Sequence, residues 1–138
     1  MDLRIDIELK EGLLWVTASG GVKFESALRL LRQVCDAAAE DHISRILVDA
    51  LAVEGELAAH ERYRIGVDLA TYVMHREIDV KMALVGLPPA LNGFGALVAQ
   101  NRGMDARVFA APDEAMSWLN DLPAEPSRES ARTFIQDR

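Results

Sequence analysis

Hydrophobic and polar residues alternate at the start of the chain. The apolar positions separated by single polar residues are Leu3, Ile5, Ile7 and Leu9. This period of two is typical of a strand with one face in water, and we expect it at the edge of a sheet. Residues 10–12 predict a tight turn, and LLWVTASG beyond them predicts a second strand. The chain therefore opens with a predicted antiparallel β-hairpin.

A helical period follows, and strand and helix patterns then alternate. Between Phe24 and Ala38, apolar residues recur at the i, i+3, i+4, i+7 spacing of an amphipathic helix. Continuous apolar runs in RILVDA and VKMALVG predict strands buried on both faces. Further helices are predicted at 57–75 and 90–102, and ARVFA predicts a last short strand. A closing helix is expected to begin at Pro112, because proline and the acids after it favour a helix start.

Alternating β and α units of this length imply parallel strands joined by right-handed crossovers. The predicted fold is a single α/β domain, an N-terminal β-hairpin followed by right-handed βα units. Its five-stranded, mostly parallel sheet carries four main helices. We assign this domain to residues 1–121, a length that suits one domain. Residues 122–138 form a polar tail that we expect to be flexible or to dock as a short helix.

Charge and composition exclude several classes of function. The formal net charge of −7 opposes nucleic-acid binding, because that binding needs Lys and Arg to displace counterions from phosphates. The single cysteine, Cys35, falls on the apolar stripe of the first predicted helix, so we expect a packed, unreactive thiol. A lone cysteine also fits a reducing compartment, and we expect a cytoplasmic protein.

We predict no integral membrane segment. The longest uncharged stretch, residues 82–101, could span a bilayer by length, but its prolines and glycines predict strand, loop and helix. The first residues do not show the basic segment and apolar core of a signal peptide.

No motif for a metal, nucleotide or covalent catalyst is apparent. His60 and His75 lie fifteen residues apart on one predicted helix, which separates them by more than about 20 Å along its axis. They therefore cannot share a metal ion. His42 lies in a link between elements. The glycine-rich spots SGG and NGFG lack phosphate-binding spacing and predict turns. We therefore expect a non-catalytic protein without a cofactor or metal.

Two segments are placed where ligands gather in open α/β sheets, beyond the carboxyl ends of strands. Asp49 ends the predicted strand RILVDA, with Glu54 and Glu56 beyond it. These carboxylates could do acid–base chemistry only if their pKa values were pushed apart; capping and solubility are the simpler role. The second segment, GLPPALNGFGALVA, is uncharged and could line an apolar pocket, form a partner surface or pack in the core.

The order of elements and three local patterns resemble the SpoIIAA-like, or STAS-like, family, which is related to Sec14-type domains. The patterns are RILVDA before a glycine turn, VKMALVG after the second helix, and NRGMDARVFAAPDEAMSWL. The resemblance covers about residues 2–120 and implies a binding module rather than an enzyme. In family members that antagonise anti-sigma factors, a serine at the start of the helix after the third strand is phosphorylated, which breaks the partner interface.

This chain departs from that pattern, since it has no serine or threonine between Ser44 and Thr71. The resemblance implies a regulatory module that lacks the phosphoacceptor and contacts an unidentified protein, or a second copy of itself. The residues expected to form the binding surface are Asp49, Glu54, Gly55, Glu56, Pro88, Pro89, Asn92, Gly93 and Phe94. The alternative is a carrier of a small apolar molecule or lipid, in which residues 82–101 and Trp118 enclose a pocket.

Overall fold

The structure, a computed structural model, describes residues 2–121. Strands and helices follow one another in the predicted order. Their bounds are β1 Arg4–Lys10, β2 Leu13–Gly21, α1 Phe24–Glu40, β3 Arg45–Glu54, α2 Ala59–His75, β4 Lys81–Val85, α3 Phe94–Asn101, β5 Asp105–Phe109 and α4 Pro112–Asn120. The predicted tail, 122–138, lies outside the described residues.

All five strands form one sheet, and their order in the sheet is their order along the chain. β1 pairs with β2 antiparallel, and every other neighbouring pair is parallel. The hairpin turn has positive φ at both central residues, Glu11 and Gly12, as a two-residue type I′ turn requires. The predicted fold class is confirmed.

Helices cover the two faces of the sheet unequally. Residues of α1, α2 and α3 pack in one core cluster with Ile46, Val48 and Met82. The other cluster places α4 against the alternate strand residues, including Leu47 and Ala83. Because successive strand residues point to opposite faces, β3 and β4 are buried on both sides, which explains their continuous apolar runs.

Three local predictions need correction. β3 does not end near Asp49 but continues to Glu54, because its last residues pair with the end of β2. α3 begins at Phe94 rather than at residue 90, because Gly93 takes a left-handed φ of 87° and the preceding residues form a turn. On β1, Ile7 and Leu9 are exposed although their alternation predicted a buried face. At the edge of a sheet, an alternation of apolar and polar residues therefore indicates burial less reliably.

Cys35 is fully buried on α1, as its place on the apolar stripe predicts. Desolvation, helped by the neighbouring charge of Asp36, raises the pKa of its thiol to about 12. In the unfolded chain this thiol ionises from about pH 9 upward, whereas the folded chain holds its proton. The thiol's contribution to stability is therefore complete below pH 9 and is lost as the pH rises towards 12.

We expect the free energy of unfolding to fall less steeply above about pH 9 in Cys35→Ala than in the wild type. The difference in slope is at most about 1.4 kcal/mol per pH unit. Urea denaturation at a series of pH values measures it. Groups such as the Tyr72 phenol, whose pKa is raised by its hydrogen bond to Asp36, are present in both proteins and cancel in the comparison. Parallel pH profiles would contradict the prediction.

Candidate functional site

Two loops leave the carboxyl ends of the neighbouring strands β3 and β4, and a single side chain joins them. Arg62, on the first turns of α2, donates a hydrogen bond from Nε to the carbonyl oxygen of Leu57 at 2.9 Å. Its Nη2 donates to the carbonyl oxygen of Pro89 at 2.7 Å. The residue is only 7% exposed. Arg62 therefore fixes the β3–α2 loop against the β4–α3 loop.

Local contacts shape the β3–α2 loop. The backbone N–H of Val22 donates to the carbonyl oxygen of Glu54 at 2.9 Å and holds the end of β3 beside the β2–α1 link. At the start of α2, the Glu61 carboxylate accepts a hydrogen bond from the N–H of Ala58 at 2.9 Å. This hydrogen bond satisfies the N–H of the residue that precedes the first turn of α2. Ala58 itself has no side-chain oxygen with which to cap the helix. The loop is thus held at both ends.

The β4–α3 loop is ordered by a side chain of its own. The Asn92 Oδ1 atom accepts a hydrogen bond from the N–H of Phe94 at 3.0 Å, where α3 begins. Earlier in the loop, the N–H of Leu91 donates to the carbonyl oxygen of Leu87 at 3.0 Å, and the side chain of Leu91 packs on Gly86. The uncharged segment is therefore a turn and a helix start, not one continuous helix.

Eight of the nine predicted binding residues lie on these two loops and the strand and helix ends that flank them. We call this set the strand-end surface: Glu54, Gly55, Glu56, Pro88, Pro89, Asn92, Gly93 and Phe94. All are exposed except Gly93, which is half-buried. The large apolar side chains of Leu87 and Leu97 are also exposed beside it in sequence. The surface combines two carboxylates from one loop with apolar groups from the other.

Asp49 does not lie with the others. It sits between Val48 and Ala50, which lie on the side of the sheet covered by α1, α2 and α3, so its own side chain points to the opposite face. There its Oδ1 accepts a hydrogen bond from the N–H of Leu51 at 3.1 Å, a local contact within β3. The remaining eight residues are the ones that the fold brings to one end.

Arg62 is the residue that sequence reasoning missed. It stands at i relative to Ile65, Gly66 and Leu69 at i+3, i+4 and i+7, so it occupies the first place on the buried stripe of α2. An arginine on the apolar face of a helix is the signal that could have found it, because charged residues are almost never fully buried without a partner.

A cavity of about 150 Å³ lies behind the strand-end surface, between the sheet and the first three helices. Among the residues that the structure describes, its polar side chains are Arg62 and Asn92, and the rest of the lining is apolar or glycine. Residues of the predicted 82–101 region contribute to it. Trp118 does not, because α4 packs on the other face of the sheet and places its ring 5.6 Å from that of Phe109. The predicted enclosure by Trp118 is wrong.

Metal and membrane features can be judged for residues 2–121 only. Within that range, no three His, Cys, Asp or Glu side chains are grouped so that they could hold a metal ion. Among the helices described there, none is both long and apolar enough to cross a membrane.

No protein-family model and no curated protein sequence matches the chain. Two solved structures are similar to it. An anti-sigma factor antagonist from Mycobacterium paratuberculosis superposes with a TM-score of 0.58 at 19% identity, over 87% of this chain and 96% of that one. An uncharacterised DUF3478-family protein with a SpoIIAA-like fold, from Shewanella loihica, gives 0.50 at 20% identity, over 85% and 93%. With the strand order and helix placement above, these likenesses show that the chain has the SpoIIAA-like fold that its sequence pattern implied.

Proposed function

We propose that the protein is a non-catalytic, cytoplasmic regulatory module that binds a protein partner through its strand-end surface. The observation that carries the proposal is the Arg62 bridge. Its two hydrogen bonds hold an acidic loop and an apolar loop in one fixed arrangement. A preorganised surface loses less conformational entropy on association, which favours specific binding.

The chemistry of the surface suits protein recognition. Phe94 is 39% exposed, and aromatic side chains of this kind are enriched at the centres of interfaces. Glu54 and Glu56 add exposed negative charge at the rim, which steers and selects a basic partner more than it adds affinity. The partner is therefore expected to offer an apolar pocket flanked by Lys or Arg.

The likeness to an anti-sigma factor antagonist suggests a partner of the anti-sigma factor type. The proposed interaction lacks a phosphorylation switch at the start of α2. The chain has no serine or threonine between Ser44, which precedes β3, and Thr71, which lies near the end of α2. Phosphorylation there would add a dianion and three acceptor oxygens. The carboxylates of Glu54 and Glu56 provide a smaller, permanent negative charge instead.

The test removes the chemistry of the surface while leaving Arg62 in place. We expect the triple variant Glu54→Gln, Glu56→Gln, Phe94→Ala to bind its partner at least about tenfold more weakly than the wild type. The reason is that truncating a central aromatic residue costs about 2 kcal/mol or more of binding free energy. Affinity capture from the source cells with quantitative mass spectrometry identifies the partner, and titration of the purified pair measures the loss.

The matched control is Asp6→Asn with Glu8→Gln, which removes two exposed carboxylates from β1 instead. Its binding should equal that of the wild type. Light scattering of all three proteins shows whether the partner is a second copy of this chain. A partner that both variants bind equally well would place the interface elsewhere and overturn the proposal.

The cavity favours a second candidate function, the carrier of a small molecule. Its volume of about 150 Å³ is well below the roughly 300–1,000 Å³ of pockets for drug-sized ligands, so it does not suit a whole lipid. Engineered apolar cavities of about this volume hold a benzene-sized molecule. A carrier function would therefore concern small apolar compounds.

A further inference from the structure

We infer that the cavity binds a short-chain apolar carboxylate, with its hydrocarbon part among the apolar side chains and its carboxylate on the Arg62 guanidinium. The inference deepens the carrier function proposed for the same cavity and rests on it, but it does not rest on the proposed protein partner. It is carried by two features in contact, a buried guanidinium and an apolar cavity that it helps to line.

Charge is the first step. Among residues 2–121, the groups that accept hydrogen bonds from Arg62 are two backbone carbonyls, which are neutral. Among residues 2–121, the salt bridges are Arg64–Asp68 and Arg76–Asp36, so no described carboxylate neutralises Arg62. Buried charges are ordinarily paired because leaving water is costly. An anionic ligand would supply the missing charge.

Geometry is the second step. A guanidinium has five N–H donors, and Nε and Nη2 of Arg62 each make one hydrogen bond. The Nη1 group has no acceptor among the described residues. With the one N–H of Nε in use, the remaining donors are the two N–H groups of Nη1 and the second N–H of Nη2. The edge between Nη1 and Nη2 is suited to a carboxylate, which can accept two parallel hydrogen bonds from two neighbouring nitrogens. The two carbonyl contacts also fix the orientation of the fork before a ligand arrives.

Size and polarity are the third step. The cavity extends from the buried side chains of Val16 and Met82 to the half-buried loop residues Leu57 and Leu91. Apart from Arg62 and Asn92, the lining contributed by the described residues holds no polar side chain, so a sugar or a nucleotide would lose hydrogen bonds to water without replacement. A six-carbon chain or ring suits a volume of about 150 Å³.

The experiment titrates the whole chain with hexanoate, 1-hexanol and palmitate, followed by methyl ¹H–¹³C NMR. We expect hexanoate to shift the methyl signals of Leu57, Ile65 and Ala96 saturably, with an affinity at least about tenfold higher than that of hexanol. Palmitate should not reach these methyl groups. In ¹H–¹⁵N spectra of the same samples, the indole N–H signals of Trp15 and Trp118, which pack in the α4 cluster on the other face, should not move.

Two variants separate the role of the charge from that of the space. Arg62→Met should bring the affinities of hexanoate and hexanol together, and a loss of preference is measurable even if the loops are less stable. Ala50→Leu fills the cavity but keeps Arg62, and should abolish binding of both ligands. Equal affinities in the wild type, no saturable shift, or unchanged binding by Ala50→Leu would each overturn the inference. None of these results depends on whether a protein partner is found.

Discussion

Replacing Gly66 with alanine is expected to destabilise the protein by about 1–3 kcal/mol or more. In an open helix the same change would stabilise by up to about 1 kcal/mol, because alanine is the better helix former. Here a Cβ atom would lie 2.5 Å from the carbonyl oxygen of Gly95 and 2.8 Å from Cβ of Val98. Both belong to α3, so relief of the clash requires α2 and α3 to move apart. Urea denaturation monitored by circular dichroism measures the loss.

Thr71→Ala provides the control on the same helix. Thr71 is exposed on α2, so the change should alter the free energy of unfolding by no more than about 0.5 kcal/mol. If Gly66→Ala were as stable as the wild type, α2 and α3 could not be packed with their backbones in contact at this point.

Replacing Leu47 with alanine is expected to cost about 2–5 kcal/mol. Leu47 is fully buried in the cluster beneath α4. Removing three carbon atoms loses their transfer free energy and leaves a space that neighbouring β-strands cannot fill by moving. The free energy of unfolding from chemical denaturation is the measurement.

A matched leucine lies four residues further along the same strand. Leu51 is 47% exposed, and Leu51→Ala should cost less than about 1 kcal/mol. The two variants remove the same atoms from the same strand, so their difference isolates burial. Equal losses would contradict the placement of α4 over Leu47.

The elements that the sequence predicted well are those whose pattern depends on local packing. The apolar stripe of α1 and the proline that begins α4 needed no knowledge of distant residues. The continuous apolar runs of β3 and β4 correctly indicated burial on both faces. Eight of the nine predicted binding residues share one end of the sheet because the patterns identified which segments follow β3 and β4, even though they ended β3 too early. The binding role of these residues stays a prediction.

The features that sequence reasoning missed depend on contacts between distant segments. β3 is long because β2 continues beside it, and this pairing moves Asp49 into the body of the strand. Arg62 acquires its role from a carbonyl 27 residues away, on Pro89. Trp118 lies away from the cavity because α4 crosses to the other face. Periodicity along one element contains none of this information.

The order of the strands has a consequence for the growing polypeptide. Because each strand pairs with the one made just before it, the sheet can be extended one strand at a time as the chain leaves the ribosome. The face formed by Leu13, Leu47, Ala83 and Val85 differs, because α4, its cover, is the last element to be synthesised among those described. At about 5–20 residues per second, that face stays open for some seconds after β4 emerges. A nascent chain halted there would present an apolar sheet to chaperones, with its other face covered by α1 and α2 but not yet by α3.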